Sequence, residues 1–308
     1  MKSLTSHGCT LEAAQAKQLE GWLRAHDYNF REVPHAVFAA QKGNVGVVFY
    51  ASGKLVIQGK GTREFVEFVL EPEILREARL GYEAVLDPER LTPRLGIDES
   101  GKGDFFGPLC VAGVYVNRDV LEAWKEHDVR DSKRIGSDRG VAELARVIRS
   151  TPGCVYDVVV IGNAAYNRLY VKVGNLNRLL AWGHSRVIEN LLERSGQMEP
   201  PPVRAVSDQF ARTKSVVKAS LMKLGRGLEL VQRHRAESDT AVAAASILAR
   251  DAFVRSLQGM SKEFGLTFPK GASAEVVEAG REFVRRWGRD RLSSVAKLHF
   301  KTADRLGD

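Results

Sequence analysis

Residues 94–109 read RLGIDESGKGDFFGPL, and this stretch decides how the chain can fold. An apolar run ends at Asp98 and Glu99, a glycine-rich turn follows at residues 101–103, and a second apolar run covers residues 109–116. The pattern predicts two strands joined by a charged turn. Adjacent carboxylates repel each other and destabilise a fold, but they are useful if a divalent cation lies between them. The sequence therefore predicts a β-hairpin with a metal-binding site formed by acids at its connecting turn.

Further apolar runs downstream predict the rest of a sheet. The five predicted strands span residues 93–98, 109–116, 155–162, 203–207 and 228–233. Segments of helix length follow or separate them at residues 140–150, 175–193, 214–224, 238–257 and 279–287. Strands followed by alternating helices and strands favour a mixed sheet with helices on both faces. The predicted fold class is α/β, and alanine-rich residues 241–245 should let one helix pack closely.

The beginning of the chain has a different pattern and predicts a separate lobe. A helix is expected over residues 11–28, strands over 36–40, 45–50 and 54–59, and a second helix from Thr62 to about Leu70. These elements form a small α+β lobe at residues 1–70. Residues 71–92 are acidic and contain proline and glycine, so we interpret them as a linker with a short helix at 73–79. A larger domain occupies residues 93–308.

Composition is that of an ordinary globular protein with an anionic partner. The chain has 308 residues, of which 44% are hydrophobic, and a formal net charge of +8. That charge favours nucleic acid binding, although a positive surface also serves solubility alone. No apolar run is long enough to span a bilayer and no signal-peptide core is evident, so we expect a cytoplasmic protein that does not bind membranes. Three unpatterned cysteines support neither disulfides nor a zinc site.

Acidic residues follow the predicted strands and are candidates for a metal site. Asp98 and Asp208 each end a strand, and Glu237 follows the last strand at the start of the alanine-rich helix. Ligands bind open α/β sheets at the carboxyl ends of strands, and parallel pairing would place Asp98 beside Asp208. With Glu99, these carboxylates form the all-oxygen ligand set that hard divalent cations prefer. Taken singly, Asp208 or Glu237 could instead cap a helix.

Several motifs along the chain resemble those of one enzyme family. GIDESGKGDFFGPL at residues 96–109 closely resembles the signature of the type 2 ribonucleases H, and its GKG, where GRG is more usual, points to the ribonuclease HIII branch. Further motifs match in order: DSK at 131–133, SDQFA at 207–211, RAES at 235–238, AVAAASILAR at 241–250 and VAKLHFK at 295–301. In the first lobe, FYASGKLVIQGKG at 49–61 resembles, more weakly, the TATA-binding-protein-like lobe of ribonuclease HIII.

The resemblance implies both a fold and an activity. The fold would be a ribonuclease H-like mixed sheet flanked by helices, preceded by the small α+β TATA-binding-protein-like lobe. The activity would be endonucleolytic cleavage of the RNA strand of RNA–DNA hybrids, leaving 5′-phosphate and 3′-hydroxyl ends. The implied cofactor is Mg²⁺ or Mn²⁺, with two ions acting on the nucleophile and the leaving oxygen. We expect a monomer whose partner is the hybrid nucleic acid.

The resemblance also assigns the acids. The four catalytic, metal-binding acids of the family correspond to Asp98, Glu99, Asp208 and Glu237. In the family the fourth acid lies one residue further from the AAAS segment than Glu237 does here, and Asp239, two residues on, is the competing candidate. The RAES context favours Glu237, so both residues stay candidates at this point.

The glycine-rich turn is expected to bind substrate through Gly101, Lys102 and Gly103. Close backbone contact would read the 2′-hydroxyl that distinguishes RNA from DNA, with Lys102 near a phosphate. Two alternatives stay open: cleavage at single ribonucleotides embedded in duplex DNA, as in ribonuclease HII, and hybrid binding without catalysis. For the first lobe, substrate binding competes with a role in oligomerisation or folding. Asp104 is interpreted as a turn-organising acid, and the histidines as structural unless His299 faces substrate.

Overall fold

The computed structural model describes residues 4–77, 91–127, 129, 135–208, 220–233 and 236–307, without the side chains of Glu126 and Glu237. The chain divides into two compact units, Met1–Arg90 and Leu91–Asp308. Several sequence-predicted features lie wholly or partly outside the described residues: the linker beyond residue 77, the DSK motif at 131–133, the SDQFA motif beyond residue 208, most of the helix at 214–224, and the first residue of the RAES motif at 235–238.

The first unit is an antiparallel sheet packed against two helices. Its strands are β1 (Ser6–Thr10), β2 (Asn29–Arg31), β3 (Ala36–Lys42), β4 (Val45–Tyr50) and β5 (Lys54–Gln58), in the order β1-β5-β4-β3-β2. Buried residues of β4 and β5, including Val47 and Leu55, cluster with Leu19 and Leu23 of helix α1 (Ala13–Ala25). The sequence predicts β3, β4 and β5 only. The polar β1 and the three-residue β2 are edge strands without an apolar alternation, so no periodicity marks them.

The second helix of this unit, α2, covers Thr62–Phe65 and continues as a π-helix over Val66–Leu75. It therefore continues through Pro72, beyond the end that the sequence predicts at about Leu70. Proline breaks an α-helix because its ring clashes with the carbonyl four residues earlier, and a π-helical turn changes that spacing. The helix continues because it buries Leu70 and Ile74 in the core of the unit.

The second unit contains a mixed five-stranded sheet in the order β10-β9-β6-β7-β8. Its strands are β6 (Arg94–Ser100), β7 (Leu109–Val116), β8 (Tyr156–Ile161), β9 (Arg204–Asp208) and β10 (Glu229–Arg233). β6, β7 and β8 pair antiparallel, whereas β9 is parallel to β6, and β10 is parallel to β9. Every one of these strands lies within two residues of its predicted position, and the predicted mixed sheet is confirmed.

Helices flank this sheet. Those that the structure describes are α3 (Arg118–Ala123), α4 (Asp138–Ser150), α5 (Asn163–Val173), α6 (Leu176–Leu192), α7 (Thr240–Phe264) and α8 (Ala274–Trp287). The sequence predicts neither α3 nor α5. α3 is only six residues long, and α5 buries only Asn163 and Tyr166, so neither has the apolar stripe that reveals a helix. The other helices match predictions, with α7 and α8 longer than expected.

Two helices cover opposite faces of the sheet. On one face, Ile97 and Val111 cluster with Val187 of α6. On the other, Ala112 and the alanines of α7 share a second cluster. Gly96 makes the approach of α7 possible, because a Cβ built there would lie 2.1 Å from the backbone carbon of Ala241. The predicted close packing of the alanine-rich helix is thus confirmed, and it brings the start of α7 beside β6.

Candidate active site

The carboxyl ends of β6 and β9 place two predicted site residues side by side. The strands are parallel neighbours, with Ile97 paired to Ser207, so the next residues, Asp98 and Asp208, occupy adjacent positions. On the other side of β9, Arg233 of β10 lies opposite Asp208. The adjacency that the sequence predicts from parallel pairing is therefore present at this edge of the sheet.

The carboxyl group of Asp98 lies in surroundings that disfavour its charge. Burial raises its pKa most, and the neighbouring charge of Glu99 raises it further. A hydrogen bond from Ser246 of α7 opposes these effects without cancelling them, so the pKa of Asp98 rises to about 6. Negative charge at this position is incompletely compensated by the protein, and a bound cation would stabilise it.

Both side-chain oxygens of Glu99 have partners. The Nε2–H of His184, which is 1% exposed on α6, donates to Oε2 at 2.9 Å. The ammonium of Lys102 donates to Oε1 at 2.7 Å. Burial opposes ionisation of this carboxyl, but its two partners outweigh burial and lower the pKa of Glu99 to about 2. Glu99 is therefore an anion in a fixed orientation, and His184 is a site residue that the sequence interpretation treats as structural.

Lys102 is the cationic residue of the glycine-rich turn. Burial disfavours its ammonium, but the charges of Glu99, Asp98 and Asp208 outweigh that effect and raise the pKa of Lys102. Its side chain is 50% exposed, in contrast to the 4% of Glu99. The turn thus presents a solvated cation to the edge of the sheet that carries the acids.

The two glycines of the turn differ in what they permit. Gly101 has φ +90°, and a Cβ there would lie 2.3 Å from the carbonyl oxygen of Pro108, so its lack of a side chain is a requirement of the fold. A Cβ on Gly103 would meet no atom within 4 Å. Gly103 therefore leaves open space next to Lys102, where a ligand could approach the backbone.

A buried lysine anchors the residues after the turn. The Nζ of Lys297, which has no exposed surface, donates to the carbonyl oxygens of Asp104 at 2.9 Å and Gly107 at 2.5 Å. Burial lowers the pKa of Lys297 to about 8. The Asp104 carboxylate in turn accepts from the backbone N–H of Gly271 at 2.6 Å. The Asp104 carboxylate thus makes a structural contact, but the contact is with Gly271, which is distant in sequence, rather than within its own turn as the sequence suggests.

The two candidates for the fourth acid lie close together between β10 and α7. Glu237 is in a short 3₁₀ turn, Ala236–Ser238, and its side chain lies outside the described residues. Asp239 is the N-cap of α7 and accepts from the backbone N–H of Ala241 at 2.9 Å. It also accepts from two guanidinium groups, that of Arg94 at 2.9 Å and that of Arg233 at 2.8 Å. Both carboxylate oxygens of Asp239 therefore accept hydrogen bonds that fix the start of α7.

The described side chains do not by themselves enclose a metal ion. Within the part of the chain that the structure describes, no three acidic, histidine or cysteine side chains converge closely enough to hold one. The Glu99 carboxylate instead accepts hydrogen bonds from His184 and Lys102. The structure therefore brings three predicted acids to one sheet edge, with Glu99 held by other partners.

His299, the histidine that could face substrate, stacks on aromatic rings. Its ring centroid lies 4.1 Å from that of Tyr170 and 5.5 Å from that of Tyr166, both on α5. Burial and the charge of Lys297 lower the pKa of His299, so the neutral ring is favoured in this stack. The contacts are those of a packing residue that joins the VAKLHFK segment to α5.

Two family models match the chain. Residues 95–303 match the model described as Ribonuclease HII, which covers more than half of the chain. Residues 12–78 match a second model, described as a domain of unknown function, DUF3378. The first match coincides with the second structural unit, and the second match lies within the first unit.

Curated relatives and solved structures agree with these matches. The chain is 45% identical to Ribonuclease HIII of Chlamydia pneumoniae, covering 96% of both chains, and 44% identical to Ribonuclease HIII of Protochlamydia amoebophila, covering 99% and 98%. The crystal structure of Bst-RNase HIII in complex with Mn²⁺ is 28% identical, with a TM-score of 0.67 over 98% of both chains. That of Aquifex aeolicus RNase H3 has a TM-score of 0.53 and 26% identity, over 95% of this chain and 99% of the other.

A mixed sheet with paired carboxylates at the ends of two parallel strands defines the class as a ribonuclease H-like hydrolase. The chain belongs to the ribonuclease HII family and, within it, to ribonuclease HIII. It is an endoribonuclease, a hydrolase acting on phosphodiester bonds. Among the described residues, no helix has both the length and the apolar character needed to cross a membrane.

Proposed function

We propose that this chain cleaves the RNA strand of RNA–DNA hybrids endonucleolytically and leaves 5′-phosphate and 3′-hydroxyl ends. The observation that carries the proposal is the adjacency of Asp98 and Asp208 at the ends of parallel strands, with Glu99 next to them. Membership of the ribonuclease HIII family supports the same activity. Paired acids at one edge serve phosphodiester hydrolysis because a cation between them neutralises the charge that develops on phosphate.

The proposed cofactor is Mg²⁺ or Mn²⁺, held by Asp98, Glu99, Asp208 and Glu237. These residues fit such an ion, because all four supply oxygen ligands and the raised pKa of Asp98 indicates charge that a cation would stabilise. Bst-RNase HIII, a similar protein, has been crystallised with Mn²⁺. Two such ions, when bound, supply an activated water and stabilise the departing 3′-oxygen.

The protein's own contribution is to fix the acids and the ribose. β6 and β9 hold Asp98 and Asp208 through backbone pairing, and His184 orients Glu99. The open space at Gly103 would admit the sugar, so that nearby backbone could contact the 2′-hydroxyl. Lys102 would then meet a phosphate on the same strand.

For the fourth acid we propose Glu237 rather than Asp239. Asp239 caps α7 and pairs with two arginines, so a role as metal ligand would leave Arg94 buried without its anion. Glu237 lies before this N-cap position in the sequence, so the capping role does not fall to it. The motif RAES supports the same choice.

The first unit is proposed to bind the hybrid, with domain limits of 1–70 for the lobe, 71–92 for the linker and 93–308 for the catalytic domain. Residues 1–60 carry seven basic and four acidic residues. A cleft over its sheet is lined by polar groups that suit a phosphate backbone, among them Arg31, Gln41, Asn44, Gln58 and Lys60. We further propose that the protein is a cytoplasmic monomer.

A cleavage assay on three substrates tests the proposal. A uniform RNA–DNA hybrid should be cut within the RNA strand only when Mg²⁺ or Mn²⁺ is present, and EDTA should stop the reaction. A DNA duplex with a single embedded ribonucleotide should be a poor substrate, and an all-DNA duplex should be inert. Preference for the single ribonucleotide would favour the ribonuclease HII-type activity, and metal-dependent binding without cleavage would favour a hybrid-binding protein.

A further inference from the structure

Glu99 has two partners of different kinds. His184 is buried in α6, a helix that packs on the sheet through Val187 and Leu191, so it cannot leave Glu99 without repacking the core. Lys102 is half exposed and is carried by a flexible side chain, so it can leave by rotation about its own bonds. Oε2 of Glu99 therefore has a permanent partner, and Oε1 has an exchangeable one.

The exchangeable partner, Lys102, places a positive charge beside the acids. The Lys102 ammonium is 2.7 Å from Glu99 Oε1. Asp98 precedes Glu99 on β6, and Asp208 ends the neighbouring parallel strand. One positive charge thus lies at a sheet edge that carries three carboxylates, which repel one another. Its position relative to Glu99 is that of a counter-ion.

We propose that Lys102 acts as a built-in substitute for the metal ion in the metal-free protein. Its ammonium neutralises Glu99 at Oε1 and gives way when a divalent cation binds, while His184 keeps hold of Oε2 in both states. The displaced ammonium stays attached to the 101–103 turn and becomes available to a substrate phosphate. This inference rests on the proposed function, since it requires Glu99 to be a metal ligand.

Competition between Lys102 and metal has a thermodynamic consequence that a structural role alone would not have. A group that stabilises the metal-free state and leaves the metal-bound state must weaken metal binding, because the ion has to displace it. Removing the ammonium should therefore tighten metal binding. Removing the permanent partner, His184, should weaken metal binding, because Glu99 then loses its orientation.

The experiment is a calorimetric titration of MnCl₂ into the full-length, substrate-free protein. Lys102→Met should bind Mn²⁺ about tenfold more tightly than wild type, because the ion no longer has to displace the ammonium. The matched control is Lys125→Met. Lys125 pairs with Glu122 on an exposed surface, and the two residues are three positions apart in the sequence, as Lys102 and Glu99 are. That variant should bind Mn²⁺ as wild type does, and His184→Leu should bind it more weakly.

Thermal unfolding in EDTA gives a second readout. Lys102→Met should melt at a lower temperature than wild type, since the acids lose their counter-ion. Added Mn²⁺ should raise the melting temperature of this variant by more than it raises that of wild type. Unchanged or weaker Mn²⁺ binding by Lys102→Met overturns the inference. Asp98→Asn distinguishes failure of the Lys102 inference from failure of the proposed metal site. If this variant binds Mn²⁺ like wild type, the ions are not at these acids and the proposed metal site also fails.

Discussion

His184 Nε2 lies 2.9 Å from Glu99 Oε2, and this hydrogen bond joins the middle of α6 to the end of β6. The bond is between an anion and a buried donor, so water does not compete for it and it is stronger than a neutral pair. The orientation of Glu99 is consequently set by the packing of a helix in the core. A site that binds metal ions gains from such support, because its ligands are then held in place before the ion arrives.

The strand-end acids should be essential for cleavage. Asp98→Asn and Asp208→Asn should each lower the rate on a uniform hybrid by on the order of 10³-fold, because a lost metal ligand removes several kcal/mol of charge stabilisation. Circular dichroism should show an intact fold. The control is Asp157→Asn, which removes a carboxylate of β8 that pairs with Arg194 away from the proposed site. Near wild-type rates for either acid variant would contradict the assignment.

The metal-free stability of Asp98→Asn should depend on pH. In the folded protein the pKa of Asp98 is about 6, above its ordinary value of 3.8, so this carboxyl destabilises the fold progressively as pH rises from about 4 to 6. Removing it should give little gain near pH 4 and a full gain of about 3 kcal/mol above pH 6. Urea unfolding in EDTA at several pH values measures this. A gain that is constant with pH would show that Asp98 is not the strained group.

Glu99 should not disturb that measurement. Its pKa is lowered to about 2, so the stability it contributes is fully present above its ordinary value of 4.5 and is lost only as pH falls below that value. The contribution of Glu99 is therefore nearly constant above about pH 5, and its decline at the lower end of the range in which Asp98 titrates is expected in wild type and Asp98→Asn alike.

Glu237 and Asp239 should fail in different ways. Glu237→Gln should abolish cleavage with little change in unfolding free energy. Asp239→Asn should instead destabilise the protein by about 3 kcal/mol, because Arg94 loses a buried partner, and should keep more activity per folded molecule. Rates on one substrate at one Mg²⁺ concentration, combined with melting temperatures, separate the two. A stable but inactive Asp239→Asn beside an active Glu237→Gln would move the catalytic role to Asp239.

The turn should discriminate ribose from deoxyribose at Gly103. Gly103→Ala should fold normally, because the site of the new Cβ is empty, yet cleave hybrid poorly, because the methyl group blocks close approach. Gly196→Ala, at an equally open position in another turn, is the control. Gly101→Ala is less informative because it should lower stability as well. If wild type cuts equally well at a 2′-deoxy position, the turn does not read the hydroxyl.

Removal of the first unit should weaken binding and spare the chemistry. A chain that starts near residue 91 should retain metal-dependent cleavage, with KM raised more than kcat is lowered, because the unit supplies uniform binding. The salt dependence of hybrid binding should become shallower by roughly one unit of slope per lost phosphate contact. Binding measured by fluorescence anisotropy at several salt concentrations tests this. A folded truncation with the same affinity and slope would exclude a substrate-binding role, and an aggregating one would indicate a folding role.

The sequence predicts the catalytic sheet well because its strands are buried and apolar over most of their length. The adjacency of Asp98 and Asp208 follows from strand order alone. His184 could not be assigned in the same way. It lies on the buried face of α6 with Leu180 and Ile188, four residues to either side, which marks it as buried but does not reveal its partner.

The pairing of Arg94 with Asp239 illustrates what local patterns leave out. The two residues are 145 positions apart, and neither periodicity nor a motif connects them. Their ion pair depends on α7 lying against β6, which is a property of the tertiary fold. The π-helical path through Pro72 is similar, since burial of Leu70 and Ile74 overrides the local preference of proline.

The Lys297 anchor has a consequence for how the protein is made. Its ammonium reaches back 193 residues to the carbonyl of Asp104. During synthesis on the ribosome, the acid-bearing strand emerges early, but the turn beside it cannot acquire this anchor until residue 297 has left the exit tunnel. The edge that carries the proposed metal ligands is thus begun early in translation and completed late, so we expect nuclease competence only after nearly the whole second unit has been synthesised.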